Sequence, residues 1–183
     1  CTVDLSAFYF DIRKDTLYCD PKNSEKRKGC IILLNIILNA LTKWFAPILS
    51  FTTEEIYQLV NKKNKSIHLE KFLKFPENFE NKNLDKKWVE LIKIRNKCNI
   101  SIEEKRAQKE IGSSLEAELN INLNNKLKNL TEKIDFAELC ITSKATINYG
   151  NSDEVSVSTK KASGKKCPVC WKINIEPCSR HST

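Results

Sequence analysis

Methionine, glycine and histidine are the residue types that this sequence lacks or uses least. Its 183 residues contain no Met, four Gly and two His. Because an intact translation product begins with Met, we expect the chain to be a fragment of a longer protein. Phosphate-cradling loops of the P-loop or dinucleotide type need closely spaced glycines, and four scattered ones cannot build them. His68 lies in an ordinary mixed segment, so we predict no active site in this chain.

Long hydrophobic runs are also missing. The longest near-apolar stretch, residues 30–41, is interrupted by Asn35 and Asn39. A bilayer-spanning helix needs about 20 apolar residues, and no secretory leader is recognisable at the start of the chain. Eight cysteines without such a leader favour reduced thiols over a disulfide framework. We therefore predict a cytoplasmic protein with no membrane partner.

Charge is abundant and unbalanced. Lys and Arg total 31 against 23 acidic residues, which gives a formal net charge of +8. This excess favours a polyanionic partner, and nucleic acid is the first candidate. The alternative is a solvated surface enriched in Lys by AT-rich codons, since Asn and Ile are abundant as well.

Helical periodicity dominates residues 1–111. The apolar positions of residues 30–45 cover most of a helix circumference, so we expect this helix to be the central and most buried one. Pro47 ends it. A long, highly charged helix is predicted from Leu84 to about Lys109. Four helices with this patterning predict a mainly α fold built on an antiparallel bundle.

The start of the third helix has two recognisable signals. Thr52 and Glu55 have the spacing of a capping box, in which each side chain bonds a free backbone N–H of the first turn. Phe51 and Ile56 have the spacing of a hydrophobic staple. We therefore expect Thr52 to be the N-cap of this helix.

The periodicity changes after Gly112, where apolar and polar residues alternate. This pattern predicts strands with one solvated face and a short helix between them, so we expect a small α+β module over residues 112–159. The strand positions are Leu115 to Leu123, then Ala137, Leu139 and Ile141, then Ala145, Ile147 and Tyr149, then Val155 and Val157; the helix positions are Leu127, Leu130 and Ile134.

The last segment, residues 160–183, is predicted to be a flexible basic linker followed by a zinc-binding tail. Two residues separate Cys167 from Cys170, seven separate Cys170 from Cys178, and two separate Cys178 from His181. Such spacing suits four tetrahedral zinc ligands, and a closed four-ligand site is structural. A redox Cys-x-x-Cys or a chance cluster is the alternative, and a water in place of His181 stays open.

Residues around the predicted ligands can contact nucleic acid. Trp171 can stack on an unpaired base, or it can pack over the metal site or on the α+β module. The basic side chains can contact phosphates, or they can form a solvated hinge. These basic residues are Lys160, Lys161, Lys165, Lys166 and Arg180.

Several stretches, in this order, resemble one family. Residues 4–9 and 14–19 resemble the opening of the anticodon-binding helical domain of isoleucyl-tRNA synthetases, and residues 46–56 are similar to a segment shared by the Ile, Val, Leu and Met group of class I synthetases. Arg95, Glu104, Arg106 and residues 109–117 resemble the isoleucine enzymes more narrowly. Residues 166–171, Lys-Cys-Pro-Val-Cys-Trp, resemble the C-terminal zinc finger of the bacterial isoleucyl-tRNA synthetases. The family usually has Cys-x-x-Cys as its second metal pair, whereas His181 takes the last place here, and the loop between the pairs is shorter.

The resemblance implies a C-terminal fragment of a ligase that joins isoleucine to its tRNA and edits mischarged valine. ATP and Mg²⁺ would act in a catalytic domain outside these residues, and the fragment would be inactive alone. Its own role would be to bind the anticodon stem-loop, and we expect a monomer. Two alternatives stay open: a stand-alone zinc-containing nucleic-acid-binding module, and a structural protein whose zinc tail fixes its C-terminus.

Overall fold

The chain is helical up to residue 107 and mixed after it, in a computed structural model that describes residues 2–61 and 65–181. The predicted ranges 1–111 and 160–183 include residues 1, 62–64, 182 and 183, which lie outside the described residues. The helices are a π-helical segment at Thr2–Phe10, α1 Asp11–Cys19, α2 Glu25–Phe45, α3 Ser50–Val60, α4 Lys82–Ala107, α5 Lys128–Thr131 and α6 Phe136–Leu139. Single 3₁₀ turns lie at Ile67–Leu69, Glu77–Phe79, Ser114–Glu116 and Asn125–Leu127. The strands are β1 Ala117–Asn124, β2 Lys144–Gly150, β3 Ser156–Lys161, β4 Lys165–Lys166 and β5 Ile173–Asn174.

These elements form two compact units. The helical unit is Asp20–Glu80 and contains α2 and α3. The sheet unit joins Cys1–Cys19 to Asn81–Thr183 and contains α1, α4 and the strands. The mainly helical fold with a small α+β module is therefore confirmed in outline. The four-helix bundle is not, because its predicted helices divide between the two units.

The core of the sheet unit lies between α4 and a three-stranded sheet. β1 is central, parallel to β2 and antiparallel to β3, which confirms these three predicted strands. Alternate residues of β1 and one stripe of α4 are buried in a single apolar cluster with Phe136. These residues are Ala117, Leu119, Ile121 and Leu123 from the strand and Leu91, Ile94, Cys98 and Ile102 from the helix.

The strand predicted at residues 137–141 is wrong. Residues 137–139 lie in helix α6 instead, and Asp135 caps the first turn of this helix. The Oδ1 atom of Asp135 accepts a hydrogen bond from the backbone N–H of Glu138 at 3.1 Å. Three alternating apolar residues are too few to separate a strand from one helical turn. The capping residue Asp135 was the better signal.

Helix α2 is not the buried centre of the fold. Ile31, Ile32, Leu33, Ile36 and Leu38 are exposed, although Cys30, Ala40 and Thr42 are buried. Within the helical unit α2 packs chiefly against α3, and one neighbouring helix cannot cover a helix that is apolar on most sides. The expectation of a central buried helix was therefore wrong.

The composition of α2 also bears on the membrane argument. Among residues 2–61 and 65–181, α2 alone has the length and apolar composition that a membrane crossing requires. Asn35 does not interrupt it, since its amide donates to the carbonyl of Ile31 at 3.0 Å. Run length therefore does not exclude a span for this segment, and the absence of a membrane partner stays a prediction.

The predicted N-cap of α3 is wrong by three residues, because Leu49 rather than Thr52 takes this position. The helix begins at Ser50, and no side chain caps it; the hydroxyl of Thr53 donates instead to the carbonyl of Leu49 at 2.9 Å. Phe51 is 93% exposed and therefore does not form a buried staple with Ile56. The spacing of Thr52 and Glu55 fits the capping box, but one further turn of helix precedes them.

Candidate metal centre and nucleic-acid surface

The four predicted metal ligands converge at the end of the chain. The donor atoms of Cys167, Cys170, Cys178 and His181 all lie within 4.8 Å of one another. The Nδ1 atom of His181 is 3.5 Å from Sγ of Cys167 and 3.3 Å from Sγ of Cys178, and Sγ of Cys170 is 3.8 Å from that of Cys178. With Zn–S near 2.3 Å and Zn–N near 2.0 Å, tetrahedral edges measure about 3.8 Å between sulfurs and about 3.5 Å between sulfur and nitrogen. The cluster is compatible with one structural zinc ion.

A short hairpin builds this cluster. β4 and β5 are antiparallel, with Lys166 opposite Ile173. In the turn, Cys167 N–H donates to the carbonyl of Lys172 at 2.9 Å, and Trp171 N–H donates to that of Cys167 at 3.0 Å. Trp171 has φ +63°, in the left-handed region that a non-glycine residue adopts only in tight turns. We call residues 165–181, which contain the hairpin and the ligands, the knuckle.

The segment predicted as a flexible basic linker consists mostly of strand. Lys160 and Lys161 end β3, and Lys165 and Lys166 form β4. Gly164, between the two strands, has φ +128°, and a Cβ there would meet the backbone carbonyl of Asn174. Only glycine fits this close approach.

The thiols of Cys167 and Cys170 have pKa values that are shifted in opposite directions. Hydrogen bonds from the backbone N–H groups of Cys170 and Val169 lower the pKa of Cys167 to about 6. Burial raises the pKa of Cys170 to about 11. A thiolate is the form that binds metal, so a metal ion would meet Cys167 already deprotonated at neutral pH and would have to displace the proton of Cys170.

The imidazole of His181 is oriented by a backbone group. Its Nε2 lies 2.7 Å from the carbonyl oxygen of Cys19, the last residue of α1. A carbonyl oxygen only accepts, so Nε2 carries the proton and Nδ1 presents a lone pair to the sulfurs. The same hydrogen bond raises the pKa of His181. Histidine ligands of metals are commonly held in this way through their second nitrogen.

Other contacts fix the knuckle within the sheet unit. The guanidinium of Arg180 makes two hydrogen bonds to Asp15, from Nη1 to Oδ2 at 2.9 Å and from Nη2 to Oδ1 at 3.1 Å. Ile173 N–H donates to the hydroxyl of Ser143 at 2.6 Å. The thiol of Cys19 lies 3.8 Å from the carbonyl of Val169. The roles of Asp15 and Cys19 could not be found from the sequence, because no local pattern marks a partner 150 or more residues away.

The predicted nucleic-acid contacts are only partly brought together. Trp171 is 59% exposed, and Nζ of Lys166 is 5.4 Å from the centre of its ring. Lys165 and Lys161 are exposed, and Lys160 is exposed with Nζ 3.6 Å from Oε1 of Glu118. Arg180 faces Asp15 rather than a free surface.

Comparison with known proteins gives consistent results. Residues 1–121 match the family described as the anticodon-binding domain of tRNA ligase. The chain is 65% identical over 182 residues to the isoleucine–tRNA ligase of Pelagibacter ubique, covering 100% of the chain and 20% of the relative. It is 39% identical to the isoleucine–tRNA ligases of Bartonella henselae and Agrobacterium fabrum, covering 92% and 95% of the chain and 18% and 19% of those proteins. The chain thus spans about a fifth of the length of these curated relatives.

Proposed function

The chain belongs to the family of anticodon-binding domains of tRNA ligases, and we propose that it is the C-terminal tRNA-binding part of an isoleucine–tRNA ligase. The observation that carries this proposal is the family match over residues 1–121, together with isoleucine–tRNA ligases that align along nearly the whole chain. The full-length protein would join isoleucine to its tRNA with ATP and Mg²⁺ and edit mischarged valine. These reactions would take place in other domains of a monomeric, cytoplasmic enzyme.

The role proposed for this part is to hold the anticodon stem-loop, so that the acceptor end of the tRNA reaches a distant catalytic site. Correct placement of a substrate contributes much to rate without any reacting group. Unpaired loop bases are typically recognised by stacking on aromatic side chains and by contacts from basic ones. Trp171 and Lys166, adjacent on the knuckle, supply this combination, with Lys165, Lys160 and Lys161 as further phosphate contacts.

We also propose that Cys167, Cys170, Cys178 and His181 hold one zinc ion. The tetrahedral edges described above support this set, and so does the Nδ1 lone pair that the Cys19 carbonyl leaves available. When bound, the ion supplies folding free energy, on the order of 10 kcal/mol in zinc-finger peptides. Four protein ligands leave no open position, so the role is structural.

Filter binding of an isoleucine tRNA transcript at several salt concentrations tests the proposed function. Each phosphate contact contributes about −0.9 to the slope of log K against log salt on duplex and about −0.7 on single strands. We expect a steep slope, equivalent to several phosphate contacts, and weaker binding to an unrelated RNA of the same length. A slope near zero would show instead that the zinc tail only fixes the C-terminus.

A further inference from the structure

The knuckle contacts the C-terminal end of α1 through groups that lie beside the proposed metal ligands. Arg180 stands between the ligands Cys178 and His181 in sequence, and its side chain is held by both carboxylate oxygens of Asp15. Its own backbone N–H forms a hydrogen bond with the thiol of Cys178. A single residue therefore connects a carboxylate on α1 to a metal ligand.

The second connection runs through the end of the helix itself. The last four carbonyl groups of an α-helix have no partner within the helix. The carbonyl of Cys19 is one of these, and it accepts the Nε2 proton of His181 at 2.7 Å. The imidazole thus caps α1 while its other nitrogen faces the thiols. Any change that moves this ring affects both the helix end and the metal site.

We propose that the zinc affinity and the stability of the last turn of α1 are thermodynamically linked. In this link, Asp15 positions Arg180, and Arg180 in turn positions Cys178 and His181 for the ion. The inference depends on the zinc site of the proposed function. Because linkage is reciprocal, zinc that stabilises this turn is itself bound more tightly when the turn is intact. If the knuckle folded around zinc independently of α1, zinc would not stabilise the helix turn, and loss of the turn would not change the zinc affinity.

A double-mutant cycle on the 183-residue chain tests the link. Zinc affinity is measured by competition with a chromogenic chelator for the wild type, Asp15→Asn, Arg180→Gln and the double variant. Asp11→Asn is the matched control, since Asp11 lies on the same helix but pairs at 2.8 Å with the exposed Lys14. Loss of groups that orient metal ligands typically weakens metal binding 10- to 100-fold. We expect about tenfold weaker binding for each single variant, no further loss in the double variant, and no change in the control.

Amide hydrogen exchange supplies the reciprocal measurement. On removal of zinc with a chelator, we expect exchange across residues 12–19 to become at least about tenfold faster, while exchange in β1 stays slow, because coupling acts through the shared contacts only. Asp15→Asn should show the faster exchange even with zinc present. Unchanged circular dichroism shows that each variant is folded.

The outcomes separate two failures. If the wild type binds no zinc, the metal site of the proposed function is wrong, and the link falls with it. If the wild type binds one zinc but Asp15→Asn matches Asp11→Asn, only the link is wrong. Additive losses in the cycle would also overturn the link, because Asp15 and Arg180 would then act separately.

Discussion

Replacement of Trp171 by alanine separates RNA contact from structural support. The ring is 59% exposed, and the backbone N–H that closes the knuckle turn is retained in alanine. An exposed contact of the ring with Lys166 contributes about 0.5–1 kcal/mol at most. We therefore expect the variant to keep its zinc and lose no more than about 1 kcal/mol of folding stability.

The effect on RNA binding should be larger. A base stacked on an aromatic side chain is worth about 1–3 kcal/mol by truncation, which corresponds to a Kd raised about 5- to 150-fold. Fluorescence anisotropy with a labelled anticodon stem-loop at fixed salt measures this change, and metal analysis of the same sample measures zinc. The control is Ile175→Ala, since Ile175 is an exposed aliphatic residue of the same knuckle, 81% accessible, that cannot stack. An unchanged Kd for Trp171→Ala at full zinc occupancy would refute the stacking role.

Three further outcomes follow from the geometry of the knuckle and of α1. Cys170→Ser removes a buried side chain from the proposed ligand set, so zinc should be lost and the knuckle disordered while helix content stays constant. A large fall in the helical circular dichroism signal would contradict this. Gly164→Ala places a Cβ against the Asn174 carbonyl at a residue with φ +128°, so it should weaken zinc binding in chelator competition. The control Gly150→Ala, which has open space around its Cβ, should leave the zinc affinity unchanged. Equal affinities for the two variants would show that the β4–β5 hairpin adapts to the added Cβ. Burial of Asp15 opposes ionisation, but its hydrogen bonds and charge pairing with Arg180 prevail and lower its pKa from 3.8. The ionised carboxylate therefore contributes its full stabilisation above pH 3.8, and this is lost as the pH falls through the lowered pKa. In zinc-free samples, the difference in free energy of unfolding between wild type and Asp15→Asn, measured in urea, should shrink at low pH. A difference that stays constant with pH would contradict the ion pair.

The local part of the candidate site could be predicted from the sequence. The convergence of the four candidate metal ligands depends on residues close together in the chain, and strict alternation marked β1, whose alternate residues are buried. The exposure of Trp171 was left open by the sequence. The partners that orient the ligands could not be predicted. Asp15 lies 165 residues from Arg180, and Cys19 contributes a backbone carbonyl that every residue possesses.

The helical part shows a different limit. The apolar circumference of residues 30–45 indicated a helix correctly, but the pattern does not tell which neighbours are present to cover it. The capping-box spacing of Thr52 and Glu55 is local evidence, but the helix already begins at Ser50, after Leu49, whose backbone is not helical. Periodicity thus fixes the type of an element better than its partners or its first residue.

Binding to isoleucine tRNA with altered anticodons tests the central claim most directly. The 183-residue chain, loaded with zinc, is titrated at one salt concentration with the native transcript and with a transcript that differs only in the anticodon triplet. If this part of the chain holds the anticodon stem-loop, the altered transcript should bind at least about tenfold more weakly, because each lost base contact is worth about 1–3 kcal/mol. Equal affinity for both transcripts, and for an unrelated RNA of the same length, would contradict the account.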